Sequence, residues 1–366
     1  MQHVYDVTII GGGPAGLYSA FYSGLRGLKT KLIESQQQLG GKVLLYPEKL
    51  IWDIGGHPPV LGEQFAKQLI AQAKTFEPTV LTGTKVDFIE RQDDIFALHT
   101  AQGDKHYSKT VLLAVGGGII NPQKLSLEGA EKYEMTNLHY TVQSYRHFVD
   151  KEIIISGGGN AAIDWAVELS PIAKNITVVY RKDKLSAHEA TIQEALNVGV
   201  KIECNTTITK LTANADKTAI QLVTCENSKT KQSYTRQIDE VIISHGYNRE
   251  TSLELDQAIT IPKKDDYYFE GKATGETAQP GIFAAGDILA FEGKIHLLLG
   301  TFQDAANAVN SIKTYLEPTA YHHGIVSSHN EVFKEKNRSI IEKHLIQNKH
   351  KETHANQLNH DQSSSS

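Results

Sequence analysis

The stretch YDVTIIGGGPAGLYSA, residues 5–20, decides the fold of this chain. The apolar run before the glycines predicts a short buried strand, and the small and apolar residues after them predict a helix packed closely against that strand. KTKLIES at 29–35 predicts a second strand. A strand, a glycine-rich turn, a helix and a strand in this order form the opening unit of a doubly wound parallel sheet.

The same unit occurs a second time. KEIIISGGGNAAIDWA at 151–166 repeats the strand, turn and helix, and NITVVYR at 175–181 predicts the strand that follows. After each unit, short apolar runs broken by turn residues predict a β-meander. The sequence therefore predicts an α/β protein with two dinucleotide-binding, three-layer (Rossmann-like) domains, each carrying a β-meander.

Composition favours a soluble globular protein with two domains. The 366 residues are 40% hydrophobic and 22% charged, with a formal net charge of -5. No basic segment followed by an apolar one opens the chain, and no run of about 18 apolar residues occurs in it. We therefore expect a cytoplasmic protein that does not bind membranes. The negative net charge disfavours nucleic acid as the main partner.

Cysteines and histidines form no motif for a metal or a dithiol. Cys204 and Cys225 are 21 residues apart, so neither a CxxC motif nor a four-ligand zinc site can be drawn. The sixteen histidines are scattered, and YHHG at 321–324 has no further histidine or acid at helical spacing. We expect no metal ion.

The first glycine turn has the pattern that binds a dinucleotide. Gly11 allows the tight turn, Gly13 lets the backbone approach a pyrophosphate, and Gly16 lets helix and strand pack closely. The helix N-terminus supplies free N–H groups to the phosphates. Glu34 ends the next strand, 23 residues after Gly11, where a carboxylate binds the hydroxyls of an unmodified ribose and disfavours a 2′-phosphate.

The second glycine turn differs from the first in the residues at the end of the strand that comes after its helix. Its three key positions are Gly157, Gly159 and Ala162. The residue 23 positions after Gly157 is Tyr180 rather than an acid, and Arg181 and Lys182 follow it. Cations at this place suit the 2′-phosphate of NADPH. A solvated basic turn without a ligand is the alternative interpretation.

Several motifs together resemble a known family. The two glycine turns, LGGK at 39–42 and PGIFAAGD at 280–287 resemble the flavoprotein reductases of the thioredoxin reductase group over essentially residues 1–330. That group carries a CxxC just before the second glycine strand, where this chain has LHYTVQSYRHF at 138–148. Without a dithiol, electrons would pass from the reduced flavin directly to an outside acceptor.

One branch of that group has the same pattern. The whole pattern, including LGGKVLLYPEK at 39–49 and GGGIINPQKLSLEGAE at 116–131, is similar to the bacterial thioredoxin-reductase-like ferredoxin–NADP reductases. This resemblance implies hydride transfer from NADPH to FAD and release of single electrons to ferredoxin or flavodoxin, or the reverse. It also implies a homodimer. No catalytic acid or base is needed, because hydride transfer between stacked rings uses no side-chain nucleophile.

The resemblance further implies a split FAD domain with the NADPH domain inserted in it. The FAD domain would comprise residues 1–116 and 248–330, the NADPH domain 117–247, and a partly disordered tail 331–366. The helix after AAGD would direct its N-terminus at the flavin ring, and a C-terminal segment, residues 321–333, would reach the flavin of the partner subunit.

Site residues follow from the resemblance position by position. The FAD contacts would be Gly11, Gly13, Ala15, Gly16, Glu34, Lys42, Tyr46, Val86, Ile120, Asp287 and Ser328, and the NADPH contacts Gly157, Gly159, Ala162, Arg181 and Lys182. Asp287 would bind the ribityl-phosphate portion and Tyr46 would stack on the isoalloxazine ring. Lys42 stands where the family commonly has Gln, and Ile120 where it commonly has an aromatic residue. Val326 lies near the place of the residue that covers the second flavin face, which leaves His323, His329 or no residue for that role.

Two other functions are open on the sequence. A reductase of low-molecular-weight disulfides with the same fold is one, although relatives that act on bacillithiol carry a Cys at the position of Ala15. A flavin-bound scaffold or redox sensor without turnover is the other.

Overall fold

The structure is a computed structural model, and it describes residues 3–250, 253–324, 331–334, 336–338 and 340–342. The strands are, in chain order, β1 Val4–Ile10, β2 Thr30–Ile33, β3 Leu50–Ile51, β4 Val60–Leu61, β5 Thr79–Leu81, β6 Val86–Gln92, β7 Ile95–Thr100, β8 Lys105–Leu113, β9 Ile119–Pro122, β10 Leu138–His139, β11 Glu152–Ser156, β12 Asn175–Tyr180, β13 Lys201–Cys204, β14 Thr206–Ala213, β15 Ile220–Asn227, β16 Ser233–Gln237, β17 Glu240–Ile243, β18 Tyr247–Glu250, β19 Glu254–Leu255, β20 Lys263–Lys264, β21 Tyr268–Glu270, β22 Ile282–Ala284 and β23 Leu289–Ala290. The α-helices are α1 Pro14–Leu25, α2 Gly62–Ala73, α3 Asn160–Leu169, α4 Glu189–Asn197 and α5 Leu298–Leu316.

The first sheet contains the first glycine turn. Its order is β19-β6-β7-β8-β1-β2-β5, and β22 pairs with the carboxyl half of β8. β1 lies between β2 and β8 and is parallel to both. The last four residues of β1 are buried, because helices cover one face of the sheet and β-structure covers the other. The strands come from two separate parts of the chain, before β9 and after β18.

The second sheet contains the second glycine turn. Its five strands, in the order β10-β17-β11-β12-β13, are all parallel. Helices α3 and α4 pack on one face around a core that includes Phe148 and Trp165. The antiparallel strands β14, β15 and β16 form a separate three-stranded sheet that packs through Val223 and Cys225 against the other face.

A two-stranded ribbon connects the first sheet to the second along the chain. β9 pairs with β18 in antiparallel register, from Ile119 opposite Glu250 to Pro122 opposite Tyr247. The chain therefore leaves the first sheet along one strand of the ribbon and returns to it along the other.

The predicted fold class is confirmed, with one difference between the two meanders. In the first unit β6, β7 and β8 belong to the same sheet as β1, because β8 is long enough to pair with β1 along most of its length and with β7 at its start. In the second unit the meander forms its own sheet on the opposite face from the helices. Both arrangements produce three layers.

Candidate nucleotide-binding sites

The first glycine turn connects β1 to α1 and leaves a backbone surface open. A Cβ atom on Gly11, whose φ is +109°, would lie 2.4 Å from the carbonyl oxygen of Ala114, and one on Gly16 would lie 1.8 Å from that of Gly11. A Cβ on Gly13 would meet nothing closer than Cα of Gly41 at 3.8 Å. Packing thus excludes side chains at Gly11 and Gly16, whereas the free space at Gly13 is on the side where a ligand can approach.

The helix that follows has an uncapped N-terminus. Gly13 is the N-cap residue and has no side chain to cap the helix, Pro14 opens the helix, and no acidic residue lies in the first turn. The first N–H groups of the helix therefore have no side-chain acceptor, which suits a phosphate.

Glu34 links the turn to the end of β2. Its side chain is buried, at 7% exposure, and its carboxylate accepts hydrogen bonds from the backbone N–H groups of Gly12 and Gln36, the latter at 2.7 Å, and from the Ser35 hydroxyl at 3.0 Å. These contacts hold the carboxylate beside the turn, at the place predicted for the ribose.

The turn formed by AAGD packs directly on the start of α1. A Cβ on Gly286, whose φ is +75°, would lie 2.7 Å from Cβ of Ala15. The Gly286 N–H donates to Oδ2 of Asp304 in α5 at 3.2 Å, and Asp304 also forms a buried ion pair with Lys294. Burial is the main cause that raises the pKa of Asp304. Helix α5 therefore fixes the AAGD turn against the first glycine turn.

Lys42 and Asp287 converge although they are far apart in sequence. Nζ of Lys42 lies 3.1 Å from Oδ2 of Asp287, and the two side chains are 51% and 43% exposed. Lys42 belongs to the 3₁₀ turn Gly41–Leu45, and Asp287 to the 3₁₀ turn Gly286–Ile288. Two predicted FAD contacts thus form one exposed ion pair next to the first glycine turn.

Tyr46 lies where the two nucleotide-binding units meet. Its hydroxyl is 3.3 Å from that of Tyr247, and its ring centroid is 5.6 Å from that of Trp165 in α3. Beside it, Nζ of Lys49 forms an ion pair of 2.8 Å with Glu168, also in α3. In this structure the Tyr46 ring therefore contacts the second unit.

The structure describes some of the other predicted FAD contacts and not others. Val86 opens β6, is buried at 6% exposure, and packs in one cluster with Ile10 and Ile33. Ile120 lies in the ribbon strand β9, and its side chain is outside the described residues. Ser328 is also outside them, as are Val326, His329 and residues 343–366 of the tail.

The C-terminal segment that the structure describes rests on α1. The Arg26 guanidinium donates to the backbone oxygen of Tyr321, and the Gly324 N–H donates to the Tyr22 hydroxyl at 3.3 Å. His323 is exposed. Since Tyr22 and Arg26 are at the carboxyl end of α1, this part of the segment lies at the opposite end of the helix from the glycine turn.

The second glycine turn has the same geometry as the first. A Cβ on Gly157 would lie 2.3 Å from the carbonyl oxygen of Ser244 and 3.1 Å from Cβ of Ala162, which is fully buried. A Cβ on Gly159 would meet only Oγ of Ser186, at 3.9 Å. Gly159 is the N-cap residue of α3, and no acidic residue lies in the first turn of that helix. Here too, the middle key position is open.

Tyr180 fills the place where the first unit has Glu34. A Cβ on Gly158 would lie 2.4 Å from the Tyr180 ring, so the ring covers the turn. The next residues, Arg181 and Lys182, are exposed, and neither forms a salt bridge within the part of the chain that the structure describes. Their charges are thus available to a ligand at the turn.

His245 is a polar neighbour of this turn that the sequence did not indicate. Its Nε2 atom lies 2.8 Å from Oγ of Ser156, the last residue of β11. Burial lowers the pKa of His245, and the nearby Arg181 guanidinium lowers it further. Arg181 directly follows β12, and His245 comes two residues after β17, so both lie at the carboxyl edge of the parallel sheet, where a nucleotide binds in such sheets.

Neither cysteine is activated. Burial raises the pKa of Cys225 to about 11 and also raises that of Cys204, and the two thiols lie in strands of the second unit. A thiol with a raised pKa is a poor nucleophile at neutral pH.

Comparison with known proteins shows the family. The sequence profile of the pyridine nucleotide-disulphide oxidoreductase family matches residues 5–311. Ferredoxin–NADP reductase 3 of Lysinibacillus sphaericus (strain C3-41) is 85% identical over 346 residues, which are 94% of this chain and 99% of the relative. Ferredoxin–NADP reductase 1 of Bacillus licheniformis is 53% identical over 94% of this chain and 99% of its own.

The solved structure of Lactococcus lactis thioredoxin reductase has the same fold, with a TM-score of 0.67 at 24% identity over 85% of this chain and 99% of that one. None of the described helices combines the length and the apolar character needed to cross a bilayer. The protein belongs to the pyridine nucleotide-disulphide oxidoreductase family, among its bacterial members named ferredoxin–NADP reductase.

Proposed function

We propose that the protein is a flavin-dependent ferredoxin–NADP reductase that binds FAD at the first glycine turn and NADPH at the second. The observation that carries this proposal is the shared geometry of the two turns. At the outer key positions Gly11, Gly16 and Gly157, an added Cβ would lie within 3.1 Å of the protein's own atoms, and the fourth outer position is the buried Ala162. At the middle positions, Gly13 and Gly159, an added Cβ would have free space to 3.8 and 3.9 Å.

The residues around the first turn fit FAD. The free N–H groups at the start of α1 would receive the pyrophosphate, and Glu34, with no cation among its hydrogen-bond partners, would bind the adenosine ribose. Lys42 and Asp287 would lie along the flavin side of the same turn. We keep Val86, Ile120 and Ser328 as further proposed FAD contacts, with Ile120 making an apolar one. FAD, when bound, supplies a ring that accepts two electrons from NADPH and releases them one at a time.

The protein's own residues orient the nucleotides and form no covalent bond during the reaction. Arg181 and Lys182 would bind the 2′-phosphate of NADPH, because both are exposed cations that directly follow Tyr180, the residue at the position of Glu34 in the other unit. With Cys204 and Cys225 both at raised pKa, a thiol relay is disfavoured. We therefore propose that electrons leave directly for ferredoxin or flavodoxin, and Ala15, at the position where relatives that act on bacillithiol carry a Cys, disfavours the disulfide reductase alternative.

Domain limits, assembly and location are part of the proposal. We assign residues 1–116 and 248–330 to the FAD domain and 117–247 to the NADPH domain, since the first limit lies just before β9 of the ribbon and the second falls at the start of β18. We further propose a cytoplasmic homodimer. Sedimentation velocity should give twice the chain mass, and a monomer with full activity would contradict the dimer.

Two matched variants test the assignment of the nucleotides. Gly13→Val and Gly159→Val each add a side chain where the protein leaves space, at φ values of -78° and -89° that any residue adopts. We expect Gly13→Val to be purified without FAD and to stay folded by circular dichroism. Gly159→Val should keep its FAD and lose NADPH oxidation with ferricyanide as acceptor.

Some outcomes of this experiment would contradict the assignment. The assignment of the turns would be wrong if Gly13→Val retained FAD, whether or not Gly159→Val lost it. Loss of the fold in Gly13→Val is excluded as an explanation when its melting temperature equals that of the native protein stripped of FAD.

A further inference from the structure

A polar cluster lies at the end of the second sheet that faces away from the glycine turn. Glu240 is the first residue of β17, whereas the carboxyl end of that strand leads to Ser244 beside Gly157. His139 ends the neighbouring strand β10, and His147 lies in the 3₁₀ turn Tyr145–Phe148. The three side chains meet although Glu240 is 101 and 93 residues away from the two histidines.

The two imidazoles approach one carboxylate oxygen. Nε2 of His139 is 2.8 Å and Nε2 of His147 is 3.1 Å from Oε2 of Glu240. All three candidate ligand atoms lie within 4.8 Å of one another. A tetrahedral zinc ion with bonds of about 2.0–2.1 Å separates its ligand atoms by roughly 3.3 Å. Small side-chain adjustments would therefore place these atoms around one ion.

The protein holds the three groups in place. The His139 and His147 ring centroids are 5.0 Å apart, and the buried Phe148 ring packs on them at 5.1 and 5.5 Å. Backbone pairing of β10 with β17 sets His139 opposite Ile242, so its side chain is on the same face of the sheet as that of Glu240. The Glu240 side chain is 6% exposed, but that of His147 is 48% exposed, so the cluster can be reached from solvent.

We propose that His139, His147 and Glu240 bind a divalent transition-metal ion of the zinc type. Two imidazole nitrogens and a carboxylate oxygen are a known zinc ligand set, and the fourth position would be open to water. This inference is independent of the proposed function. It differs from the expectation of no metal, which depended on spacing along the sequence.

The position of the site gives a bound ion a structural effect. Between the two histidines, the Thr141 hydroxyl donates to the backbone oxygen of Leu45, and the Tyr145 N–H donates to the Glu48 carboxylate. These bonds connect the second unit to the segment of the first unit that contains Tyr46. An ion bound at both ends of residues 139–147 restrains that segment and stabilises the contact between the units.

Zinc binding by the full chain tests the proposal. The metal-stripped protein is titrated with Zn²⁺ in competition with a chromophoric chelator, next to His147→Gln and His99→Gln. Glutamine at 147 still offers an N–H donor to Glu240 but is a poor zinc ligand. His99→Gln is the matched control, because His99 also pairs with a single glutamate, Glu90, at 2.9 Å but belongs to no three-ligand group in the described residues.

The expected result is one tight Zn²⁺ site per chain in the native protein and in His99→Gln, weakened about tenfold or more in His147→Gln. At one Zn²⁺ concentration, Tm should rise more in the native protein and in His99→Gln than in His147→Gln. Co²⁺ should give the intense visible absorption of a tetrahedral site in the native protein and in His99→Gln. Equal Zn²⁺ affinity in all three proteins would overturn the proposal. Equal loss in the two variants would overturn it as well, and native protein without the Co²⁺ band would do the same.

Discussion

Coenzyme choice offers the sharpest test, because the proposal assigns both kinds of ribose site to one chain. Arg181→Ala combined with Lys182→Ala removes two exposed cations from the second turn and leaves Glu34 in the first turn unchanged. A hydrogen bond to a charged group contributes about 1.5–3 kcal/mol. Because both side chains are exposed, we take the lower end of this range.

At that lower end a single lost contact already corresponds to about a tenfold rise in KM, since 1.4 kcal/mol is a factor of ten. We therefore expect the KM for NADPH to rise at least about tenfold. The KM for NADH should change little, because NADH has no 2′-phosphate. The FAD content should not change. The loss should also shrink at high salt, since exposed phosphate contacts are screened.

The assay is steady-state oxidation of NADPH and NADH with ferricyanide. Lys263→Ala with Lys264→Ala is the control, because it removes two neighbouring exposed cations from β20, outside the second sheet. The control should leave both KM values unchanged. The reasoning is refuted if the Arg181 and Lys182 variant loses NADH and NADPH activity equally, or if the native protein prefers NADH.

Three further predictions concern the same sites. Lys42→Gln should lower the flavin midpoint potential by up to about 30 mV, because Lys42, at its proposed place beside the flavin, would stabilise the negative charge of the reduced ring; an unchanged potential in a redox titration would place Lys42 away from the flavin. Arg181→Ala should raise the pKa of His245 toward its ordinary value in an NMR titration, since the guanidinium now adds to the effect of burial in lowering it; an unaltered titration would show that the two groups are not close. Replacing Cys204 and Cys225 by Ala should leave turnover with ferricyanide within about twofold of native, because neither thiol is activated; a loss of activity without loss of FAD would indicate a thiol step.

The glycine turns were predictable because their geometry is local. Closure at Gly11 and Gly16 and free space at Gly13 follow from a strand, a tight turn and a helix that are adjacent in sequence. The fold class and the family were likewise predicted correctly from the motifs, and the relatives named ferredoxin–NADP reductase agree with the predicted class of enzyme. The roles of the individual site residues stay predictions.

Contacts between distant parts of the chain were not predictable in the same way. The ion pair of Lys42 with Asp287 joins residues 245 positions apart, and His245 reaches the second turn only because β17 lies beside β11. The cluster around Glu240 depends on another pairing, that of β10 with β17. In the last two cases a parallel sheet brings together strands that long crossovers separate in sequence, and the periodicity of the sequence contains no information about such neighbours.

Ferredoxin-dependent reduction of cytochrome c by NADPH tests the central claim most directly. The FAD-loaded protein is supplied with NADPH under anaerobic conditions, with and without ferredoxin or flavodoxin, and with disulfides of low molecular weight in parallel reactions. The account predicts rapid reduction of cytochrome c that requires the electron carrier, is absent in Gly13→Val, and is unaffected by replacement of both cysteines. NADPH consumption that occurs only with a disulfide, or not at all with either carrier, would contradict it.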